Sequence, residues 1–409
     1  MRVLLIDVNC KTSSTGQIVY NLYSYLNSHG DEAAVCYGRG EKIKENNIFK
    51  FGLDLETYLH AFLTRLTGYT GCFSFFSTRR LIKYIKYFKP DIVHIHELHA
   101  YFVNIKPLLL FLEKNNIKVI HTLHCEFSYT GKCGHSVECE KWKTECNKCP
   151  HLKDYPATLF FDHTGKMQSD KRNGFSAINE ITIVTPSEWL AKRANQSFFK
   201  NRQIKIIHNG IDTDIFKPVD SSLLKKDLGI KPDEKIVLSV APNIMSHEKG
   251  GEYVLQIAQK LNDYNIRFVI VGSENPPGKS DNNLIIKGKI YEKKILAQYY
   301  SMADLFLICS ERENYPTTCL EAQACGTPIC GFDTGGTRET DFNKHSFWAK
   351  YPDVEDMAEK ILKILETDSQ LDQLKINVKK FQEEYSVDAM CKQYYTIYRS
   401  NKSEAVEEI

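Results

Sequence analysis

The chain has almost no net charge and no long apolar run, and these two absences remove whole classes of protein. Its 53 basic and 51 acidic side chains leave a formal charge of +2 over 409 residues. No global field draws it to nucleic acid, and any basic contact must be local. The longer apolar stretches, such as residues 107–112, fall far short of the ~20 residues a spanning helix needs. The start, MRVLLIDVNC, enters polar sequence at once and lacks the apolar region and cleavage site of a secretion signal. A cytoplasmic protein is expected, at most peripheral at the inner face of the cytoplasmic membrane. There the thirteen cysteines should be reduced thiols or metal ligands. Low-complexity sequence is also missing, and only residues 401–409 read as a frayed tail.

What is present is an α/β rhythm. Apolar β-type runs at residues 3–8, 92–96, 118–123, 181–185 and 205–207 alternate with helical stretches near 16–29 and 103–115. The rhythm resumes at 236–241, 268–272, 305–309 and 328–332. Two parallel-sheet domains with helices on both faces follow. The Asn209-Gly210 turn and Pro218 put the join near Lys217.

The richest stretch is residues 310–339, SERENYPTTCLEAQACGTPICGFDTGGTRE. Pro316 suits the first position of a helix over 317–324, whose free amides and positive dipole end would face an anion such as a diphosphate. Glu321 lies inside that helix and Glu313 on the loop before it, one suited to ribose hydroxyls and the other to a sugar. Lys249, in His247-Glu248-Lys249-Gly250, opens another helix and offers a compact cation to a phosphate. Gly16 and His124 each follow a strand, at the sheet edge where α/β folds bind ligands. His94 and His96 share one strand face, where their spacing could serve metal as well as packing, with packing favoured for His94. His99, with Glu97 at the same strand exit, reads as acceptor-side. Cys133, Cys139, Cys146 and Cys149 form a four-thiolate set that can hold structural zinc, with free thiols or a disulfide pair as the other reading. Such a metal would staple a polar loop lacking an apolar core. The basic aromatic segment 73–89 can lie on anionic lipid, although a solvated face on a core-packed helix is favoured.

The spacing of Glu313 and Glu321, with Glu321-Ala322-Gln323-Ala324-Cys325-Gly326-Thr327-Pro328, Gly335-Gly336-Thr337-Arg338-Glu339 and Asn209-Gly210-Ile211-Asp212, resembles the signatures of retaining glycosyltransferases of family four. The resemblance implies a GT-B fold of two Rossmann-like domains facing a cleft. Residues 1–217 would form an acceptor-side domain with a cysteine-rich insertion at about 125–156. Residues 218–384 would bind the nucleotide sugar, and 385–409 would return as a helix to the first domain. It further implies that Glu313 and His124 contact the donor sugar, that Glu321 holds the ribose, and that Lys249, Gly16 and the Tyr315-Pro316-Thr317-Thr318 helix start hold the diphosphate. Ile290, in Lys287-Gly288-Lys289-Ile290, matches a segment whose backbone reads the base. Two departures stand out: Ser14-Thr15-Gly16 has one glycine where relatives have a pair, and Pro242-Asn243 replaces a phosphate-binding arginine. The cysteine segment resembles an insertion in a bacterial capsule and exopolysaccharide branch. The expected activity is a retaining hexosyl transfer, without a catalytic metal or cofactor, from a UDP- or GDP-sugar to a glycan or polyprenyl-linked acceptor in capsule, exopolysaccharide or O-antigen synthesis. An epimerase or phosphorylase of the same fold, or a silent GT-B binding scaffold, are the alternatives.

Overall fold

The computed structural model describes residues 1–274, 283–345, 347–366, 371 and 374–400, so the expected frayed tail lies outside the described residues. The chain divides into two units, Met1–His208 with the chain from Cys391 on, and Asn209–Met390.

The first unit is built on seven strands among the described residues: β1 (Arg2–Asp7), β2 (Glu32–Tyr37), β3 (Ile48–Lys50), β4 (Ile92–Ile95), β5 (Lys118–Thr122), β6 (Ile181–Thr185) and β7 (Gln203–Ile206). Their order is β3-β2-β1-β4-β5-β6-β7, all parallel. Val3, Leu4, Leu5 and Ile6 are each 0% exposed, as continuous apolar runs in a sheet covered on both faces must be. The cover comes from α1 (Ser14–Ser28), α2 (Asp54–Thr67), α3 (Phe75–Phe88), α4 (Ile105–Lys114), α5 (Thr164–Ala177) and α6 (Glu188–Gln196). The order reverses between β1 and β4, and the carboxyl ends of those strands make the crevice in which such folds bind ligands.

The second unit repeats the plan with α7 (Ser222–Asp227), β8 (Lys235–Val240), α8 (Gly251–Lys260), β9 (Ile266–Ser273), β10 (Leu284–Gly288), α9 (Lys293–Met302), β11 (Leu305–Ile308), α10 (Thr317–Ala324), β12 (Ile329–Phe332), β13 (Trp348–Ala349) and α11 (Val354–Leu365). Its parallel order is β10-β9-β8-β11-β12-β13, so the reversal falls between β8 and β11.

The division lies earlier than Lys217 because residues 209–216 pack with the second unit. Ile211 and Phe216 belong to its core, Ile211 N donates to the Tyr385 carbonyl at 2.9 Å, and Asn209 Nδ2 donates to the Tyr315 carbonyl at 3.0 Å. The last helix, Val387–Arg399, contributes to the first unit from Cys391 on. There Tyr398 OH meets His94 Nδ1 at 2.7 Å and Tyr394 OH meets Thr122 Oγ1 at 3.0 Å.

The cysteine-rich loop between β5 and α5 corrects one expectation: it does not lack apolar support. Phe127, Tyr129 and Trp142 are at most 1% exposed and belong to the first unit's main core. Buried polar hubs add to this. Glu126 accepts from Ser136 N at 2.6 Å, Tyr129 OH at 3.0 Å and Arg193 Nε at 2.6 Å. Lys132 Nζ donates to the carbonyls of His151, Leu152 and Asp154 at 2.8, 2.7 and 2.8 Å, so its buried charge is fully hydrogen-bonded.

Candidate functional site

In the first unit, β1 ends on Asp7, which is 0% exposed. Its carboxyl accepts from Asn9 N at 3.3 Å, Thr15 Oγ1 at 3.2 Å and Glu97 N at 3.2 Å, tying β1, the start of α1 and the exit of β4 together. Burial, and then the neighbouring Glu97, push its pKa up to about 7. Gly16 lies at the helix start, where its amide donates to Ser13 Oγ at 3.2 Å. A Cβ there would stand 3.2 Å from the Asn9 backbone carbon and oxygen. The glycine thus lets α1 close against the β1 exit, a packing role that accounts for it without a phosphate.

His94 is held at both nitrogens, by Tyr398 OH and, at 2.8 Å, by Thr122 Oγ1, so packing explains it. His96 Nδ1 lies 3.0 Å from His124 Nε2, and His96 Nε2 is buried without a partner. Burial holds His124 below the usual imidazole range, with Glu97 opposing, which favours the neutral ring near pH 7. Beside it, His99 Nε2 lies 2.9 Å from Glu97 Oε2, and Cys125 Sγ donates to the same carboxylate at 3.6 Å. Burial works against both charges, but their attraction wins: Glu97 falls to about 2 and His99 rises well above its ordinary value. Glu97, His99 and Cys125 are the group among the described residues whose donor atoms, drawn from three metal-ligating side chains, all lie within 4.8 Å of one another.

The four cysteines expected as zinc ligands lie together in the loop between β5 and α5. Cys133, Cys139, Cys146 and Cys149 all line one small cavity with Lys132 and Trp142, and the Cys133 and Cys149 thiols share a hydrogen bond.

In the second unit, the loop after β11 carries Glu313 and that after β8 carries Lys249. Lys249 Nζ donates to Glu313 Oε1 at 2.6 Å, with the side chains 30% and 19% exposed. Glu311 N donates to the Glu248 carbonyl at 3.0 Å and keeps the two loops in register. Gly335, with φ +58°, is demanded here, because a Cβ would meet the Glu313 carbonyl oxygen at 2.0 Å. Gly336 N donates to that same oxygen at 2.9 Å. The helix expected over 317–324 is α10, entered through Pro316 at φ −66° with no side-chain cap bond. Its first amides, at Thr317 and Thr318, have no acceptor within the helix. One turn on, Glu321 Oε2 accepts from Tyr300 OH at 2.9 Å, and burial raises the carboxyl to about 7.

Lys249, Glu313 and the α10 start therefore share one sheet edge, with Glu321 on the helix behind. Tyr315 stands apart: its ring joins the core, leaving only backbone at the site. Ile290 packs half-buried on that core beyond β10. Sequence reasoning missed Asp7 and Tyr300. A lone acid closing an apolar strand was a readable signal for Asp7, whereas nothing in the α9 pattern marks Tyr300.

Comparison with known proteins fits this geometry. Residues 15–215 match the model of "Glycosyltransferase Family 4" and residues 220–381 that of "Glycosyl transferases group 1". The Escherichia coli (strain K12) protein named "Putative colanic acid biosynthesis glycosyl transferase WcaC" is 28% identical over 61% of this chain and 62% of its own. N-acetyl-alpha-D-glucosaminyl L-malate synthase of Bacillus anthracis is 27% identical over 41% of this chain and 45% of its own. The matches thus span less than two thirds of those relatives' lengths. Among solved structures, sucrose-phosphate synthase of Thermosynechococcus elongatus aligns with a TM-score of 0.70 over 97% of this chain and 98% of its own, at 17% identity. Anabaena HepE in complex with UDP-glucose aligns at 0.65 over 97% and 99%, at 14% identity. At such identities the likeness shows the fold, which is GT-B.

Proposed function

The chain belongs to glycosyltransferase family 4, and on that premise we propose that it moves a hexosyl group, with retention, from a nucleotide-diphosphate sugar to a glycan acceptor carried on a lipid. The observation that carries the reading is the Lys249–Glu313 pair at 2.6 Å beside the open start of α10. Such a partly exposed pair is worth about 1 kcal/mol or less, so a diphosphate can take the ammonium over readily. Lys249 and the α10 amides would then stabilise charge gathering on the leaving diphosphate, with no catalytic metal. Freed from the lysine, Glu313 accepts hydrogen bonds from the sugar hydroxyls, while Glu321 takes the ribose. In the first unit, His124 as neutral imidazole can donate or accept one hydrogen bond, which suits a sugar hydroxyl. Retention has the donor phosphate receive the acceptor's proton. HepE, bound to UDP-glucose, supports a uridine donor, and WcaC's name supports a surface polysaccharide as product.

The test is release of free nucleotide from a panel of UDP- and GDP-sugars. Turnover of one member, with weakened nucleotide affinity in Glu321→Ala, is the expected result. No turnover across the panel, with affinity unchanged in that variant, would leave a silent scaffold instead.

The cysteine loop is proposed to hold structural zinc on Cys133, Cys139, Cys146 and Cys149, because all four thiols border one cavity. Binding would draw the sulfurs inward to ~2.3 Å from the ion. Elemental analysis of freshly purified protein should find one zinc per chain, lost in Cys146→Ser; a chain without zinc ends the proposal.

A further inference from the structure

We propose that the outward face of α2 is a docking surface for a bilayer containing anionic phospholipid. This helix is built inside out. The residues it buries are polar: Thr57, His60 and Thr64, an i, i+3, i+7 stripe. His60 Nδ1 meets Ser74 Oγ at 2.7 Å, and Thr64 Oγ1 donates to the Tyr69 carbonyl at 2.8 Å. The apolar stripe with the spacing i, i+3, i+4, i+7 points to solvent instead: Leu55, Tyr58, Leu59 and Phe62 are 83, 70, 53 and 55% exposed. A surface helix of a globular protein normally has the opposite order. The neighbouring α3 obeys that rule, burying Leu81, Ile85 and Phe88 and exposing Arg79, Lys83 and Lys86.

The apolar surface extends beyond both ends of α2. Phe76 N donates to Glu56 Oε1 at 2.8 Å, which sets the exposed Phe75 and Phe76 against the first turn. Leu159 N donates to the Arg65 carbonyl at 2.8 Å, which sets the exposed Phe160 and Phe161 at the last turn. Scattered apolar side chains need no explanation, but a continuous patch of this kind marks an interaction site.

Charge decides the occupant. Residues 53–89 contain Arg65, Arg79, Arg80, Lys83, Lys86 and Lys89 against Asp54 and Glu56, a net +4 in a chain whose total is +2. Arg65 is exposed on the last turn of α2 and Arg79 follows Phe75 and Phe76 on α3, and leucine and aromatic side chains beside such cations suit the interface of an anionic membrane, where each cation adds attraction. A second copy of this chain would bring two such positively charged segments together, which like charges disfavour. Among the described residues no helix is long and apolar enough to cross a membrane, so the attachment lies in the plane of the bilayer. The inference rests on the proposed transferase only in giving the surface a purpose, which is to hold the first unit where lipid-carried acceptors are.

Co-sedimentation of the full chain with phosphatidylcholine vesicles containing about one third phosphatidylglycerol tests it. Binding is expected, falling about tenfold or more on pure phosphatidylcholine and in a Tyr58→Ser, Phe62→Ser double variant. Both side chains are exposed, so an unchanged melting temperature in that variant confirms that folding is not the cause. Failure to bind anionic vesicles, or equal binding by the variant, would overturn the proposal. So would sedimentation equilibrium showing a dimer that the double variant dissolves. Nucleotide release measured without vesicles reads the transferase separately: its loss in the wild type sinks that reading alone, and its retention in the variant leaves docking as the step affected.

Discussion

The two units place their candidate sites at the same point, the strand ends where the sheet order reverses, yet they hold them in opposite ways. In the first unit most of the polar side chains pair with one another below the surface: His94 between Tyr398 and Thr122, Asp7 across three elements, Glu97 against His99, while His96 Nε2 and His99 Nδ1 stay buried without a partner. In the second, the central contact is a partly exposed lysine–glutamate pair next to helix amides that the helix itself leaves open. One site is held largely by pairs within its own protein. The other is arranged around a contact that an anion can replace, which is why the diphosphate is proposed to bind in the second unit.

The largest effect that can break this contrast is in Lys249→Ala. Donor turnover should fall about 10²–10³-fold, the loss seen when one group stabilising transition-state charge is removed. Thermal stability should move by less than ~1 kcal/mol, because an exposed pair contributes little. A large fall in melting temperature with turnover intact would make the pair structural and erase the distinction.

The next effect tests the other side. Tyr398→Phe removes the hydroxyl at His94 Nδ1 and leaves a buried ring nitrogen unpaired, at a cost of about 1–3 kcal/mol. Chemical denaturation should show that loss, while nucleotide affinity stays within about twofold of wild type. A parallel fall in affinity would mean that the donor depends on the buried network of the first unit as well.

The same contrast explains what was legible in the sequence. The α10 helix was predicted over the residues it occupies, since Pro316 and the apolar spacing are local signals. β2, Glu32–Tyr37, escaped because it opens with Glu and two alanines, poor strand formers by propensity, and becomes a strand only by burial between β1 and β3. Glu313 and Lys249 were named from motif and context, but their contact joins loops 64 positions apart, and no local pattern encodes it. The inverted α2 shows the limit most plainly. Its i, i+3, i+4, i+7 apolar spacing is that of any amphipathic helix, and only the packing of Thr57, His60 and Thr64 reveals that the stripe faces out. For the cysteine loop, C-x2-C spacing pointed to zinc, yet Glu126 and Lys132, which organise the loop, lie outside that pattern.

The smallest effect sharpens the donor side. Glu321 has a pKa near 7 against an ordinary 4.5, raised by burial and lowered by the Tyr300 hydroxyl. Because the folded protein keeps a proton that the unfolded chain releases, this group favours folding below pH 4.5, and that contribution is lost as pH rises through about 7. Ribose hydroxyls are donors and pair best with the ionised carboxylate, so affinity for a nucleotide sugar should move the other way and strengthen as pH rises through 7. The diphosphate diester has no proton to lose between pH 6 and 8, so the change reports on the protein. Titration calorimetry across that range should show about a tenfold gain, equivalent to one pKa unit of coupling. Tyr300→Phe removes a hydrogen bond to the ionised form and should shift the midpoint upward, whereas Glu321→Gln should flatten the curve. A flat wild-type profile would place the ribose on some other group and leave Lys249, Glu313 and the α10 amides as the whole of the donor grip in this unit.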